Sequence, residues 1–171
     1  MNSKKVIDHK MGFGIGPSSS WMRTKEAADY YAIRCPVATT LGDGSRIFCK
    51  TGGRAWVVAP SSTQVGSQWA GGQYNSSLCG VRCCIFEWLG VCIALLNNGF
   101  NPCDWFIPTL SQLQSGYNCR ANWDTFTSSC YWSSTEDLTI AGCYVSFISG
   151  TSLCCSKSYL HCVRSIRCVT Y

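Results

Sequence analysis

The chain has 171 residues, enough for one domain with its own core and a short appendage but a tight fit for two. Hydrophobic residues make up 46% and charged residues 13%, about half the usual charged share, so most of the chain must pack and its surface must draw polarity from Ser, Thr, Asn, Gln and Gly. The formal charge of +5 is spread along the chain with no basic stretch that reads as a nucleic-acid patch, and no apolar run approaches the roughly 20 residues of a membrane span.

Residues 1–45 are expected to form an N-terminal arm, and 46–171 the domain. The start is basic, but Gly-Phe-Gly-Ile-Gly-Pro follows it rather than an apolar stretch, so a secretory signal peptide is not expected. Gly12, Gly14 and Gly16 follow no strand and open no helix, which discounts a nucleotide-binding loop. A short helix is predicted over 24–31 with Thr24 as N-cap. Residues 46–50 and 54–59 are apolar runs around Thr51-Gly52-Gly53, a hairpin signal because a tight turn needs positive φ. A short helical turn is predicted within 64–72.

The strongest helix signal covers 81–97. Ile85, Trp88, Leu89, Cys92, Leu95 and Leu96 recur at spacings of three and four, and Asn98-Gly99 stops the helix. Thr109 and Gln112 have capping-box spacing behind Pro108, so a second helix starts there with Leu110 and Leu113 inward. Residues 117–129 read as a polar loop carrying Trp123 and Phe126. A strand begins at Cys130. Segments 142–148, 153–156 and 162–169 alternate, which predicts an antiparallel meander.

Three readings compete for the 14 cysteines. Cys-x2-Cys does not occur, and His9 and His161 lie far apart, so a zinc site is not expected. Free core thiols are favoured over a set of disulfides, since several cysteines share a face with apolar neighbours. In 162–168, for example, Cys162 and Cys168 fall on one face with Arg164 and Ile166. Disulfides stay open, and the sequence assigns no connectivity. Catalysis is not expected. His161 adjoins Cys162, but strand neighbours point to opposite faces, and Glu87 and Glu136 suggest no paired carboxylates.

One set of residues in order is distinctive. A helix ends in Leu-Leu-Asn-Asn-Gly-Phe. Trp105-x-x-Pro108-Thr109-x-x-Gln112-Leu113 follows, then Tyr131-Trp132-Ser133-Ser134-Thr135-Glu136. Phe147-x-x-Gly150, Lys157 and Val163-Arg164-x-x-Arg167 complete the set. Over roughly 46–171 this resembles the C-type-lectin-like fold, in the branch named for the Lcl collagen-like adhesin C-terminal domain. The resemblance implies an α+β domain of two helices packed on short antiparallel strands. It implies that Trp105 and Trp132 are core aromatics, that Pro108 and Thr109 set the second helix, and that Arg164 and Arg167 lie on the last strand against loop carbonyls or a carboxylate. The calcium-binding triplets of sugar-binding C-type lectins are missing. Asn122-Trp123-Asp124 has the letters of one in another order, so no calcium, metal or other cofactor is expected. Arg167-Cys168 is faintly similar to the end of formylglycine-generating enzymes, which are much longer chains.

Similar domains occur in bacterial surface proteins and in bacteriophage tail and virion surface proteins. The resemblance therefore implies a non-enzymatic virion structural protein at the virion surface: a head decoration, fibre or tail-associated subunit, assembled in the host cytoplasm. Its expected partners are other copies of itself and capsid or tail proteins held through the arm. The alternative is a receptor-binding adhesin for host surface glycan or protein, with Tyr117 and Trp123 as exposed loop contacts.

Overall fold

The β1–β2 hairpin is set by its turn. In the computed structural model, β1 (Arg46–Thr51) and β2 (Arg54–Val58) are joined by Gly52 and Gly53 at φ 55° and 70°, a pair of left-handed residues that only glycine supplies cheaply. The structure describes residues 25–69, 89–123, 129–138 and 140–171. It is α+β, with two sheets and, among the described residues, three α-helices.

The three-stranded sheet runs β1-β2-β8, with β8 at Ile166–Thr170. The five-stranded sheet runs β3-β7-β4-β5-β6. Its strands are β3 (Val65–Gln68), β4 (Cys130–Leu138), β5 (Ala141–Ser146), β6 (Ser152–Ser156) and β7 (Leu160–Val163). Strands β4, β5 and β6 form an antiparallel meander, but the one expected of 142–148, 153–156 and 162–169 fails at its third member: β7 pairs with β3 and β4 rather than with β6, and 162–169 is not one strand. The chain leaves the larger sheet at Val163 and enters the smaller one at Ile166. Arg164 and Ser165 make the crossing, both buried. The face shared by Cys162, Arg164 and Cys168 therefore does not exist, because the pleat is interrupted between them. Arg164 also lies between β7 and β8 rather than on the last strand.

Two further expectations are corrected. Residues 25–45 belong to the domain rather than to an arm. Helix α1 (Lys25–Arg34) buries Ala27, Ala28 and Ala32, and residues 38–39 hydrogen-bond Ile47 on both sides. Within 64–72, predicted to hold a short helical turn, residues 65–68 form β3, which pairs with β7 through Val65↔Val163 to Gln68↔Leu160; residues 70–72 lie outside the described residues. Residues 1–24 and 70–88 lie outside the described set, and with them the glycine run, Thr24, Trp88 and the first half of the 81–97 helix. Helix α2 (Leu89–Asn97) buries Val91 and Leu95, whereas Leu96, expected inward, is 59% exposed.

Strand alternation feeds two cores. Ile47, Val57 and Trp132 enter one with α1 and α2, while their neighbours Phe48, Val58 and Tyr131 enter the other beneath α3 (Leu110–Asn118). Helix α3 starts with the expected capping box, Thr109 accepting from the Gln112 amide while Gln112 Oε1 accepts from the Thr109 amide. No helix among the described residues is long and apolar enough to cross a membrane.

Candidate functional site

A cleft of about 710 Å³ opens beside the smaller sheet, where three stretches distant in sequence meet. Lys25 of α1 forms part of its wall. The Gly42–Gly44 turn forms another part, and Asn98–Asn101 with Asp104 and Trp105 a third. Arg167 of β8 also lines it. Its guanidinium is buried at 3% exposure and therefore needs countercharge. It has two: Arg167 Nη1 lies 3.3 Å from Asp29 Oδ1, and Nη2 donates to Asp43 Oδ2 at 3.3 Å. Its Cζ lies 4.9 Å from the Trp105 ring centroid, a cation–π contact with an indole that is itself buried.

Asp43 is held for this task. Its Oδ1 accepts from the Ser45 amide at 2.9 Å and from Ser45 Oγ at 2.5 Å, which leaves Oδ2 for Arg167. At the rim, Lys25 Nζ bonds Asp29 Oδ2 at 2.9 Å and approaches Asp104 Oδ1 at 3.9 Å. The Asp29 hydrogen bond pushes the Lys25 pKa up, against a smaller desolvation effect. The floor is thus internally neutralised, and Asp104 and Asn101 are the polar groups with most freedom to face a ligand. Such a floor suits orientation of a polar, uncharged or hydroxyl-rich ligand.

Of the residues singled out in sequence, Trp105 and Arg167 line this cleft. Pro108, Thr109, Gln112 and Ser134 gather at the start of α3, where the Ser134 amide donates to the Pro108 carbonyl at 2.8 Å. Trp132 is buried and donates from Nε1 to the Ser67 carbonyl, while Ser133 Oγ donates to the Cys143 carbonyl. Arg164 donates from Nε and Nη2 to the Ala59 carbonyl at 3.0 and 2.9 Å, a loop carbonyl as the resemblance implies.

Tyr117 and Trp123 are not a binding loop. Tyr117 lies on α3, half-buried edge-on to Phe147, with the Arg120 guanidinium over its other side. Trp123 is 3% exposed between Phe48 and Phe147. The polar residues around them in sequence concealed apolar partners supplied from far along the chain. Lys25, Asp29 and Asp43 were missed because residues 25–45 read as an arm, and Asn101 and Asp104 because nothing near them in sequence marks the distant residues they meet. The Gly-Asp-Gly-Ser turn at 42–45 carried a usable signal, since Asp before Ser in such a turn folds back on its own backbone.

A second cluster was also missed. His161 does not work with Cys162 but faces Cys155, with Nε2 3.5 Å from Sγ. The imidazole sits among the rings of Trp132 and Tyr144, at 4.4 and 4.5 Å between centroids. Burial pushes the Cys155 thiol up and the His161 imidazole down, so both partners are driven toward their neutral forms rather than toward a thiolate–imidazolium pair. Below the ordinary histidine value of 6.5 the unfolded chain takes up a proton that the folded chain resists. Stability is therefore expected to fall as pH drops through that window. Urea midpoints against pH should show the slope in wild type and lose it in His161→Gln.

Among the described residues Cys143 and Cys154, opposite each other on β5 and β6, form a disulfide, and Cys35, Cys49, Cys119, Cys130, Cys155 and Cys168 are free thiols. No group of three or more metal-ligating side chains occurs among the described residues. Compared with known family models and with curated proteins, the chain matches none.

Proposed function

We propose that the chain is a non-enzymatic structural subunit of a bacteriophage virion, whose lectin-like domain binds or assembles through the cleft over Arg167. The observation that carries the reading is the cleft floor: a buried guanidinium fixed between two carboxylates and an indole, built to be rigid and internally balanced. The sequence motifs add support, because Trp105 and Arg167, two residues of the lectin-like pattern, form part of that floor. Residues 1–24 are the proposed attachment segment toward capsid or tail proteins. Mass spectrometry of density-gradient-purified particles tests the assignment. The chain is expected as a stoichiometric component, and its recovery only among non-structural products would overturn it.

The open, polar rim favours a second reading that overlaps the first, an adhesin module for host surface glycan. Here Asp104→Ala and Asn101→Ala are expected to weaken attachment to a glycan array by about tenfold each, or about 1.4 kcal/mol. Unchanged attachment in both variants would remove the cleft from any receptor role.

A further inference from the structure

Cys49 and Cys119 are brought to one core although they belong to separate elements. Cys49 lies on β1, and Cys119 caps the end of α3. Both pack against one hydrophobic cluster, and Cys119 acts electrostatically on Cys49. Their meeting is imposed by hydrogen bonds on either side. Arg46 Nε donates to the Asn122 carbonyl at 2.7 Å, and Asn122 Nδ2 donates to the Phe48 carbonyl at 3.2 Å. These bonds hold the 3-10 turn Arg120–Asn122 against β1 one residue before Cys49 and directly after Cys119. Both thiols pack on the same core, against Phe48, Trp123 and their neighbours, and both are half-buried rather than sealed.

We propose that Cys49 and Cys119 form a second, reversible disulfide when the protein meets a low-molecular-weight disulfide such as oxidised glutathione. One protein thiolate attacks the small disulfide, forms a mixed disulfide and expels one small thiolate. The other protein thiolate then attacks the protein sulfur of that mixed disulfide, closes the Cys49–Cys119 bond and expels the second small thiolate. Two protein thiols are oxidised, one small disulfide is reduced to two thiols, and the two protons pass to solvent or to the departing thiolates. Burial, with Cys119 as neighbour, pushes the Cys49 pKa above its ordinary value, so Cys49 rests as the thiol and exchange proceeds through its minor thiolate fraction, faster as pH rises.

The bond would do more than Cys143–Cys154. That disulfide closes a sequence separation of 11 within one hairpin. Cys49–Cys119 would close a far longer loop and tie the β1–β2 hairpin to α3, and longer loops constrain the unfolded chain more.

The experiment is incubation of the folded full chain across a series of reduced-to-oxidised glutathione ratios. Acid quench, alkylation and peptide mapping without reductant follow. A Cys49–Cys119 cross-linked peptide is expected to appear at oxidising ratios and vanish on return to reducing ones. The urea midpoint of wild type should rise with it, while that of Cys49→Ser and of Cys119→Ser should not. Alkylation of both thiols at every ratio, or their appearance only in links to other cysteines, would overturn the proposal. Mapping of wild type decides this even if either variant fails to fold.

Discussion

Replacing Glu136 with alanine is expected to cost about 3–5 kcal/mol of stability, because it removes the carboxylate from a fully buried ammonium. Lys157 is 0% exposed, forms an ion pair with Glu136, and lies 4.4 Å from the Trp69 ring centroid. Its backbone is committed as well. The Lys157 amide donates to the Ile140 carbonyl, and its carbonyl accepts from the Trp69 amide. The ammonium therefore cannot swing out to water without unfastening β3 from the turn that follows β6. Taking Lys157 to methionine in the same chain should recover most of the loss, since a methionine of similar length needs no countercharge. Urea unfolding of the single and double variants checks this. A single variant within about 0.5 kcal/mol of wild type would show that the pair is solvated in solution.

Trp123→Ala is expected to be as damaging, at about 3–5 kcal/mol, and to act through folding. The indole fills a site among Phe48, Phe147 and the Arg164 guanidinium, with Cζ of the last 5.7 Å from the ring centroid. It also lies so close to α3 that a Cβ on Gly116 would sit 2.7 Å from Trp123 Cζ2, so even Gly116→Ala would force the ring to move. An exposed contact residue would behave differently, with truncation changing stability by no more than about 0.5 kcal/mol. Denaturant midpoints for Trp123→Ala decide between the two.

What could be read from the sequence was what is decided locally. Gly52-Gly53 and the Thr109–Gln112 box depend on neighbours within four residues, and both form as expected. The same holds for the alternation of β5. What escaped was decided at long range. Asp43 and Arg167 are 124 residues apart, and neither carries any mark of the other. Helix α1 was legible as the short helix predicted over 24–31, but its docking on the domain was not, since its buried face is made of alanines, whose small apolar area gives a weak periodic signal. The alternation over 162–169 misled for a different reason. Letters alternate across Arg164-Ser165 as they do within a strand, but the chain there passes from one sheet to another, and Arg164 is buried because the Ala59 carbonyl receives it.

That passage has a consequence for how the chain comes to be folded. Among the described residues strand β3 pairs with β7 alone and β8 is the edge strand beside β2, so the stretch 160–170 completes both sheets. On the ribosome, every earlier element emerges before the segment that fastens β3 and closes the smaller sheet. Until residues 160–170 emerge, the edge of β2 that receives β8 and the edge of β3 that receives β7 offer unpaired amides and carbonyls to other nascent copies. Both sheets are thus expected to close late, and slow synthesis through 160–170 would prolong exposure of these edges to misassociation.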